Sequence, residues 1–598
     1  MPAGGRGLEG WIGPAALAVV FVALVGWSWG KWADVVIDFG AELYLPWRLS
    51  LGDALYSDIA YRHGPLSPHL NALLFRISTP SVETLVWANL TILAGLGVLV
   101  HRIFRTCCDR LTAAVVCLVL LTMFGFAHYV GIGNYNYVTP YQHSQTHGLL
   151  LCVAMILALC ELLRRKSLGW AIVAGLCFGL VMLTKLEIQV PASGTALLAG
   201  LLLLASGPRA DRGSPRLAGV FVAAALVPPW AAFGLLCTQL SPGVALDGLL
   251  GNWRYLGTLP ADGFYLGGAG FDDPLGNGLL AVAAFLALAL FAALSVALDR
   301  GLARSAHAGA WKLAVAACVY LGLLGAGAGI PWFGAARALP LVAALAAVGF
   351  TWSCLGERGS SKRFSQHAPL ALWSLFSLLL LGKMLLRARF EHYGFVLAMP
   401  ATLLLVALLV GVLPVHLRRR SGGGQVARAV ALAGVLAAIT FFLARTDAQY
   451  QRKTVAVGGR NDALLTDPVR GHPLQAVLDE LEAQLPPEAT LVSLPEGAAI
   501  NFWLRRANPS RYYLYLPAEF SAFGEEVMLD DLRASAPDWV VLVDRPHEEF
   551  GVGPFGRDPR NGQQIMDWVH DHYDPVQRFG SEPFAGRGFG IALLRKAG

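Results

Sequence analysis

Two carboxylates four residues apart, Asp38 and Glu42, open the most chemically varied stretch of this sequence, DFGAELYLPWRLSLGDALYSDIAYRHGPLSPHLN over residues 38–71. On a helix that spacing puts both carboxylates on one face. A carboxylate within hydrogen-bond reach of a hydroxyl can take its proton as the oxygen attacks. The same acids also suit a plainer part, a helix cap and a solvated turn, because acids near helix starts complement the dipole. Asp58, Arg62, His63 and His69 follow, and either line the same cleft or hydrate the loop. Farther along, Lys185 and Glu187 stand two apart in apolar surroundings, and Arg389, His392 and Tyr393 lie in RFEHYGFVLAMP over 389–400. Fixed cations of this kind could stabilise developing negative charge, or simply snorkel to a membrane interface.

The segment GNYNYVTPYQHSQTHG, residues 133–148, offers amides, hydroxyls and rings suited to sugar recognition. Aromatic residues at membrane interfaces account for it nearly as well. His143 and His147 at i,i+4 lack a third nearby ligand, so a metal is not the favoured reading.

These groups need elements to position them, and the composition says what those are. The chain has 598 residues, 55% hydrophobic and 14% charged, against about 25% charged in a soluble domain. Apolar runs long enough to cross a bilayer recur. They fall near 11–29, 84–101, 111–130, 148–163, 168–184, 189–206, 217–237, 277–298, 309–330, 338–354, 368–386, 394–413 and 426–444, about thirteen spans in all. The first run is followed by no small-residue cleavage pattern and reads as an uncleaved helix. The net charge of +6 includes no basic tract interleaved with aromatics, so nucleic acid is not an expected partner. The last of nine cysteines is Cys354, and none has metal spacing or implies a disulfide framework.

The loops alternate in character. Short basic ones carry Arg102/Arg105/Arg110, Arg164–Lys166, Arg209/Arg212/Arg216, Arg300/Arg304, Arg358/Lys362/Arg363 and Arg418–Arg420. The mixed, aromatic ones are 34–83, 131–147, 238–276, 331–337 and 387–393. The positive-inside rule assigns the basic set to the cytoplasm. An odd number of spans then places the polar loops and the C-terminus together outside the cell. Residues 1–446 are expected to form the membrane domain. Residues 447–598 have a soluble composition and read as a small extracytoplasmic α/β domain, with a helix over 474–485 and strands near 490–494, 512–516 and 539–543.

Within 38–77 the pattern predicts two amphipathic helices. Leu43, Trp47 and Leu51 form a stripe, Pro46 works against a continuous helix, Gly52 is a stop, and Pro65 starts a second helix with Leu70, Leu73, Leu74 and Ile77 on one face. Such helices would lie flat in the membrane interface and hold Asp38 at a lipid headgroup. Asp272-Asp273-Pro274 reads as the cap before the next span. The segment 494–509 reads as a packing module of the C-terminal domain.

The stretch DFGAELYLPWRLSLGDALYSDIAYRHGPLSPHLNALLF resembles the first external loop of the GT-C superfamily of polyprenyl-phosphate-dependent membrane glycosyltransferases, such as the protein O-mannosyltransferases and bacterial aminoarabinose transferases. In that family an acid just after the first helix is the catalytic base, a position Asp38 matches. The family often has an adjacent Asp-Glu pair; here three residues separate Asp38 from Glu42, which leaves the part of Glu42 open. Leu183-Thr184-Lys185 resembles a family segment that ends a mid-chain helix. Arg389 through Tyr393 to Pro400 resembles a basic-tyrosine-proline pattern near the late spans. The resemblance also implies that a later external loop, here 238–276 with Asn252-Trp-Arg254-Tyr255, closes over the substrates.

The resulting expectation is a multi-pass α-helical membrane glycosyltransferase with a C-terminal α/β domain. It would move a sugar from a polyprenyl-phosphate donor to an envelope glycan, lipid or protein acceptor with inversion. Asp38 would be catalytic; Glu42, Lys185, Glu187, Arg389, His392 and Tyr393 would bind substrate. No cofactor is called for beyond the lipid-linked sugar, although an acidic loop could take a divalent metal. Two alternatives stand: a glycan polymerase or ligase using a lipid-diphosphate donor, and a transporter or flippase. The latter favours paired halves and interrupted helices, neither of which is visible in the sequence.

Overall fold

The computed structural model describes residues 12–205, 213–257, 263–302, 308–356, 362–421 and 423–598. Arg209, Arg212, Arg304 and Arg358 of the basic loops lie outside the described residues.

Nine helices among the described residues are long and apolar enough to cross a bilayer: Val82–Cys107, His143–Arg165, Leu186–Ala205, Ser214–Leu236, Leu266–Leu302, Phe333–Gly356, Lys362–Met384, Gly394–Arg420 and Gln425–Tyr450. Shorter apolar helices are α1 (Ile12–Ser28), Arg110–Gly125, Leu168–Val181 and Ala310–Gly325. Each of the thirteen predicted runs coincides with one of these helices. Leu279, Leu286, Leu290 and Leu294 stand exposed along one helix. Such a stripe would be an aggregation hazard in water; in lipid it is the expected outer face.

Two helices follow α1 before the next span: α2 (Phe39–Leu51) and α3 (Leu66–Ile77). Pro46 is accommodated inside α2, and Gly52 ends it in the left-handed conformation. Most of the apolar stripe on α2, expected to face the membrane interface, is covered by protein, with Leu51 alone of its three residues exposed. Leu43 and Trp47 are buried and pack under the C-terminal domain, with the Trp47 ring 6.2 Å from Phe502. The stripe that suits a lipid surface suits a protein surface equally well. Gly40 permits this approach, because a Cβ there would lie 2.4 Å from the Ala499 nitrogen. In α3, Ser67, Asn71, Ala72 and Phe75 face inward, while Leu70, Leu73 and Ile77 are exposed.

The C-terminal region carries six strands: β1 (Val455–Val457), β2 (Leu464–Thr466), β3 (Leu491–Leu494), β4 (Trp539–Val543), β5 (Tyr573–Gly580) and β6 (Gly590–Lys596). The first two form an antiparallel pair, and the other four a mixed sheet ordered β3-β4-β6-β5 with β3 and β4 parallel. The strand expected at 512–516 is instead a buried connection without ladder pairing, although Tyr515 N–H still donates to Pro495 O at 2.9 Å. The hairpin β5–β6 is absent from the sequence reading because residues 574–578 are exposed and mask any alternation. The helix expected at 474–485 begins earlier, at Pro468, capped by Asp467.

Candidate active site

Asp38 precedes α2 with φ 60° and ψ −61°. Phe39 N–H donates to Ile37 O at 2.7 Å, closing a γ-turn of the strained, positive-φ kind. A backbone held this way costs about 1–3 kcal/mol and persists only when its surroundings over-determine it. Here they do. Asn134 Nδ2 donates to Ile37 O at 2.7 Å, and Asn134 Oδ1 accepts from Asp34 N–H at 2.9 Å. Asp34 Oδ1 accepts from Val36 and Ile37 N–H, while its other oxygen accepts from Arg470 at 2.5 Å. Lys453 Nζ donates to Lys31 O and Ala33 O. Finally, Asp38 N–H itself donates to Glu496 Oε1 at 2.6 Å. Asn134, from the segment 133–148 read from sequence as suited to sugar recognition, thus braces the turn.

Asp38 borders a cavity of about 370 Å³. Glu42 lies beside it, one helical turn on. Elsewhere on the wall stand Lys185, Glu187 and Lys383, with the rings of Tyr135, Tyr141 and Tyr393 between. The C-terminal domain closes the cavity with Tyr513, Glu519, Arg545 and Glu549. Glu187 bridges two ammonium groups, Lys185 at 3.0 Å and Lys383 in a short contact. Lys185 also lies over the Tyr141 ring and donates to its hydroxyl at 3.2 Å, and Lys383 lies 4.3 Å from the Tyr393 ring centroid. Two cations sharing one carboxylate leave a net positive charge, suited to an anion.

Glu42 is engaged with an imidazole. Its Oε2 lies 2.5 Å from His143 Nδ1 and accepts His143 N–H at 2.9 Å. His147 instead pairs with Ser67 Oγ at 3.1 Å. The two histidines therefore serve different partners.

Gly64 and the Leu183-Thr184-Lys185 segment are locked together. Gly64 N–H donates to Thr184 O at 3.2 Å, and Leu66 N–H to Leu183 O at 3.1 Å. A Cβ on Gly64 would sit 2.2 Å from Leu183 O. Gly64→Ala is expected to destabilise the protein by about 1–3 kcal/mol, the usual cost of overpacking. A lowered thermal midpoint in detergent together with weaker anion binding checks this; an unchanged midpoint would show that the contact gives way freely.

Arg389 and His392 do not line the cavity. His392 packs on the Tyr135 ring at 5.0 Å; burial, aided by Arg389, lowers it to about 4. Lys383, in the 3₁₀ turn Leu381–Met384, does line the cavity. A lone lysine inside the apolar run 368–386 was the signal available for it. Glu496, Arg545 and Glu549 had no such signal. Arg62 and His63 do line the cavity, Arg62 paired with Glu519 at 2.9 Å. Asp58 accepts from Ala54 N–H and His69 contacts Pro65 O, both local contacts. From the loop 238–276, Tyr255 and Leu256 reach the cavity and Asp273 caps the next helix through Gly276 N–H; residues 258–262 and the Asn252 side chain lie outside the described residues.

No family model and no curated protein sequence matches this chain. Solved structures do. ArnT from Cupriavidus metallidurans bound to undecaprenyl phosphate matches with a TM-score of 0.50 and 12% identity, covering 98% of each chain. This chain has the GT-C fold. A second GT-C structure, the oligosaccharyltransferase of Archaeoglobus fulgidus tethered with an acceptor peptide, gives a TM-score of 0.49 and 14% identity over 98% of this chain and 74% of the other. The same oligosaccharyltransferase in complex with Zn and sulfate gives 0.46 and 15% identity over 88% and 67%. The acidic residues around Asp38 are also to be weighed as a possible divalent-metal site. Among the described residues no three His, Cys, Asp or Glu side chains converge on a possible metal site. Glu42, Glu187 and Glu549 at the cavity are already paired with His143, two lysines and Arg545.

Proposed function

We propose that this protein is an integral membrane glycosyltransferase that moves a sugar from a polyprenyl-phosphate donor to an envelope glycan, lipid or protein acceptor, with inversion. The observation that carries the reading is one cavity bordered by a carboxylate on a strained turn and by two lysines held around Glu187. The acceptor hydroxyl gives its proton to Asp38 as its oxygen attacks the anomeric carbon. The bond from that carbon to the phosphate oxygen breaks, and the electron pair leaves on the polyprenyl phosphate. Lys185 and Lys383 meet the charge that develops there, where fixed cations act most strongly. A phosphate is a good leaving group, so a second acid is dispensable, unlike the paired carboxylates of glycoside hydrolases. Glu42, held by His143, and Tyr393 line the sugar's side of the cavity. The short loops rich in arginine support a cytoplasmic placement for their ends of the spans, and with it an extracytoplasmic cavity and C-terminal domain.

The reading is tested by incubating the protein in nanodiscs with undecaprenyl-phosphate monosaccharides, a hexose, a pentose and an aminosugar, together with a membrane glycolipid extract. Release of free undecaprenyl phosphate from one of them is expected. Release that Asp38→Asn leaves intact would remove the mechanism.

Burial is the main influence on Lys185 and lowers it from its usual range to about 8, against the opposing pull of Glu187. It is therefore cationic below that pH and loses charge above it. Affinity for undecaprenyl phosphate is expected to fall as pH rises through 8, by up to about tenfold per unit. Lys185→Arg, charged throughout, should flatten the dependence. Binding followed by native mass spectrometry at several pH values checks both; a flat wild-type profile would remove Lys185 from phosphate binding.

A further inference from the structure

We infer that Glu496 and Arg545 of the C-terminal domain are positioning residues for Asp38: they hold its backbone turn and set the charge around its carboxylate. The inference rests on Asp38 being the base proposed above. It makes the external domain part of the catalytic unit.

The geometry is specific. Glu496 follows β3 and is almost wholly buried, at 2% exposure. One of its oxygens accepts the Asp38 N–H. The other accepts Arg545 Nε in a short contact. Arg545 follows β4 and is also buried; its Nη2 donates to Glu549 Oε1 at 2.9 Å and its Nη1 to Pro546 O at 2.6 Å. The guanidinium fork is thus engaged on every side, which fixes the Glu496 carboxylate in place. A buried ion pair is a weak source of stability, since desolvation offsets its attraction. A pair that spends one acceptor on the amide of a strained residue 458 positions away is better explained by what it holds. Without that acceptor the γ-turn at Asp38 loses the contact that bears directly on it.

The charges facing Asp38 come from several elements. Glu496, Glu549 and Asp34 raise its carboxyl and Arg545 lowers it, on top of a dominant upward push from burial. Glu42 stands one turn along, on α2, and Tyr135, Tyr141 and Tyr393 line the same cavity. Replacing Glu496 removes a like charge, so Asp38 should ionise at lower pH. Replacing Arg545 removes a counter-charge, so it should ionise at higher pH. A merely structural role predicts no such opposed pair.

The test uses full-length protein in nanodiscs and needs no substrate. Carbodiimide labels protonated carboxyls, and labelling of Asp38 is read by peptide mass spectrometry across pH. Glu496→Gln is expected to move the half-point down, and Arg545→Gln to move it up, each by about one pH unit. Half-points that stay put, or move together, overturn the inference. Where turnover is measurable, Glu496→Ala is expected to lower kcat about 100-fold, the scale of a misplaced catalytic group, with the KM for the donor unchanged. Glu496→Gln should recover much of it, because the amide oxygen still accepts the Asp38 N–H. Wild-type kcat in Glu496→Ala would also overturn the inference. Should Glu496→Ala not fold, the two glutamine variants carry the test. An active Asp38→Asn sinks the base instead, whatever the labelling gives, so the two failures are distinct.

Discussion

Asp38→Asn is expected to reduce release of undecaprenyl phosphate about 10³-fold, within the usual range for losing a general base. The asparagine is isosteric and keeps the backbone N–H that Glu496 holds, so the turn and the cavity should survive. Binding of undecaprenyl phosphate should stay within twofold or so of wild type, because the lysines are untouched. Kinetics and binding measured together separate the outcomes. Loss of turnover with intact binding supports the base; loss of both would point to a collapsed turn. The pH profile offers a companion check. Burial, reinforced by Glu496, holds the Asp38 carboxyl well above the ordinary carboxylate range. Asp38 must be ionised to take a proton, so kcat should rise with pH through this elevated value. Activity should be lost on acidification earlier than an exposed aspartate would dictate.

Lys383→Met is the second large effect. The substitution keeps an unbranched chain over the Tyr393 ring and removes one of the two cations beside Glu187. The remaining pair, Lys185 and Glu187, is neutral overall, so this part of the wall loses its net positive charge. Turnover is expected to fall about 10²–10³-fold, the scale of removing one group that stabilises developing charge. Donor binding should weaken less than kcat, because the charge on the leaving oxygen grows in the transition state. The double variant Lys383→Met/Glu187→Gln restores a net positive charge and should recover part of the loss. Steady-state kinetics on the three proteins decide this. A Lys383→Met enzyme with unchanged kcat would place the phosphate elsewhere.

The fold was legible where local composition decides structure. Each of the thirteen apolar runs meets an apolar helix among the described residues, because a segment of about 20 apolar residues has few alternatives in lipid. Gly52 and Pro65 marked the end of α2 and the start of α3 for local backbone reasons. The stop and start could be read, but the partner of α2 could not: Leu43 and Trp47 specify an apolar neighbour without saying whether it is lipid or Phe502.

The site divides along the same line. The types and positions of Asp38, Glu42, Lys185, Glu187 and Tyr393, together with the GT-C resemblance, singled them out, and the structure brings these five to one cavity. Arg389 was singled out by the same logic and is not among the lining residues, whereas Lys383, in the 3₁₀ turn Leu381–Met384, is. By itself the sequence determined a membrane-embedded helical chain with acids and cations at the ends of its spans, since hydropathy and residue type are properties of short stretches. Only the tertiary structure decided which of them meet, and that a glutamate after β3 grips the turn before α2. Contacts between residues hundreds of positions apart leave no trace in local pattern, because they depend on how the whole chain closes.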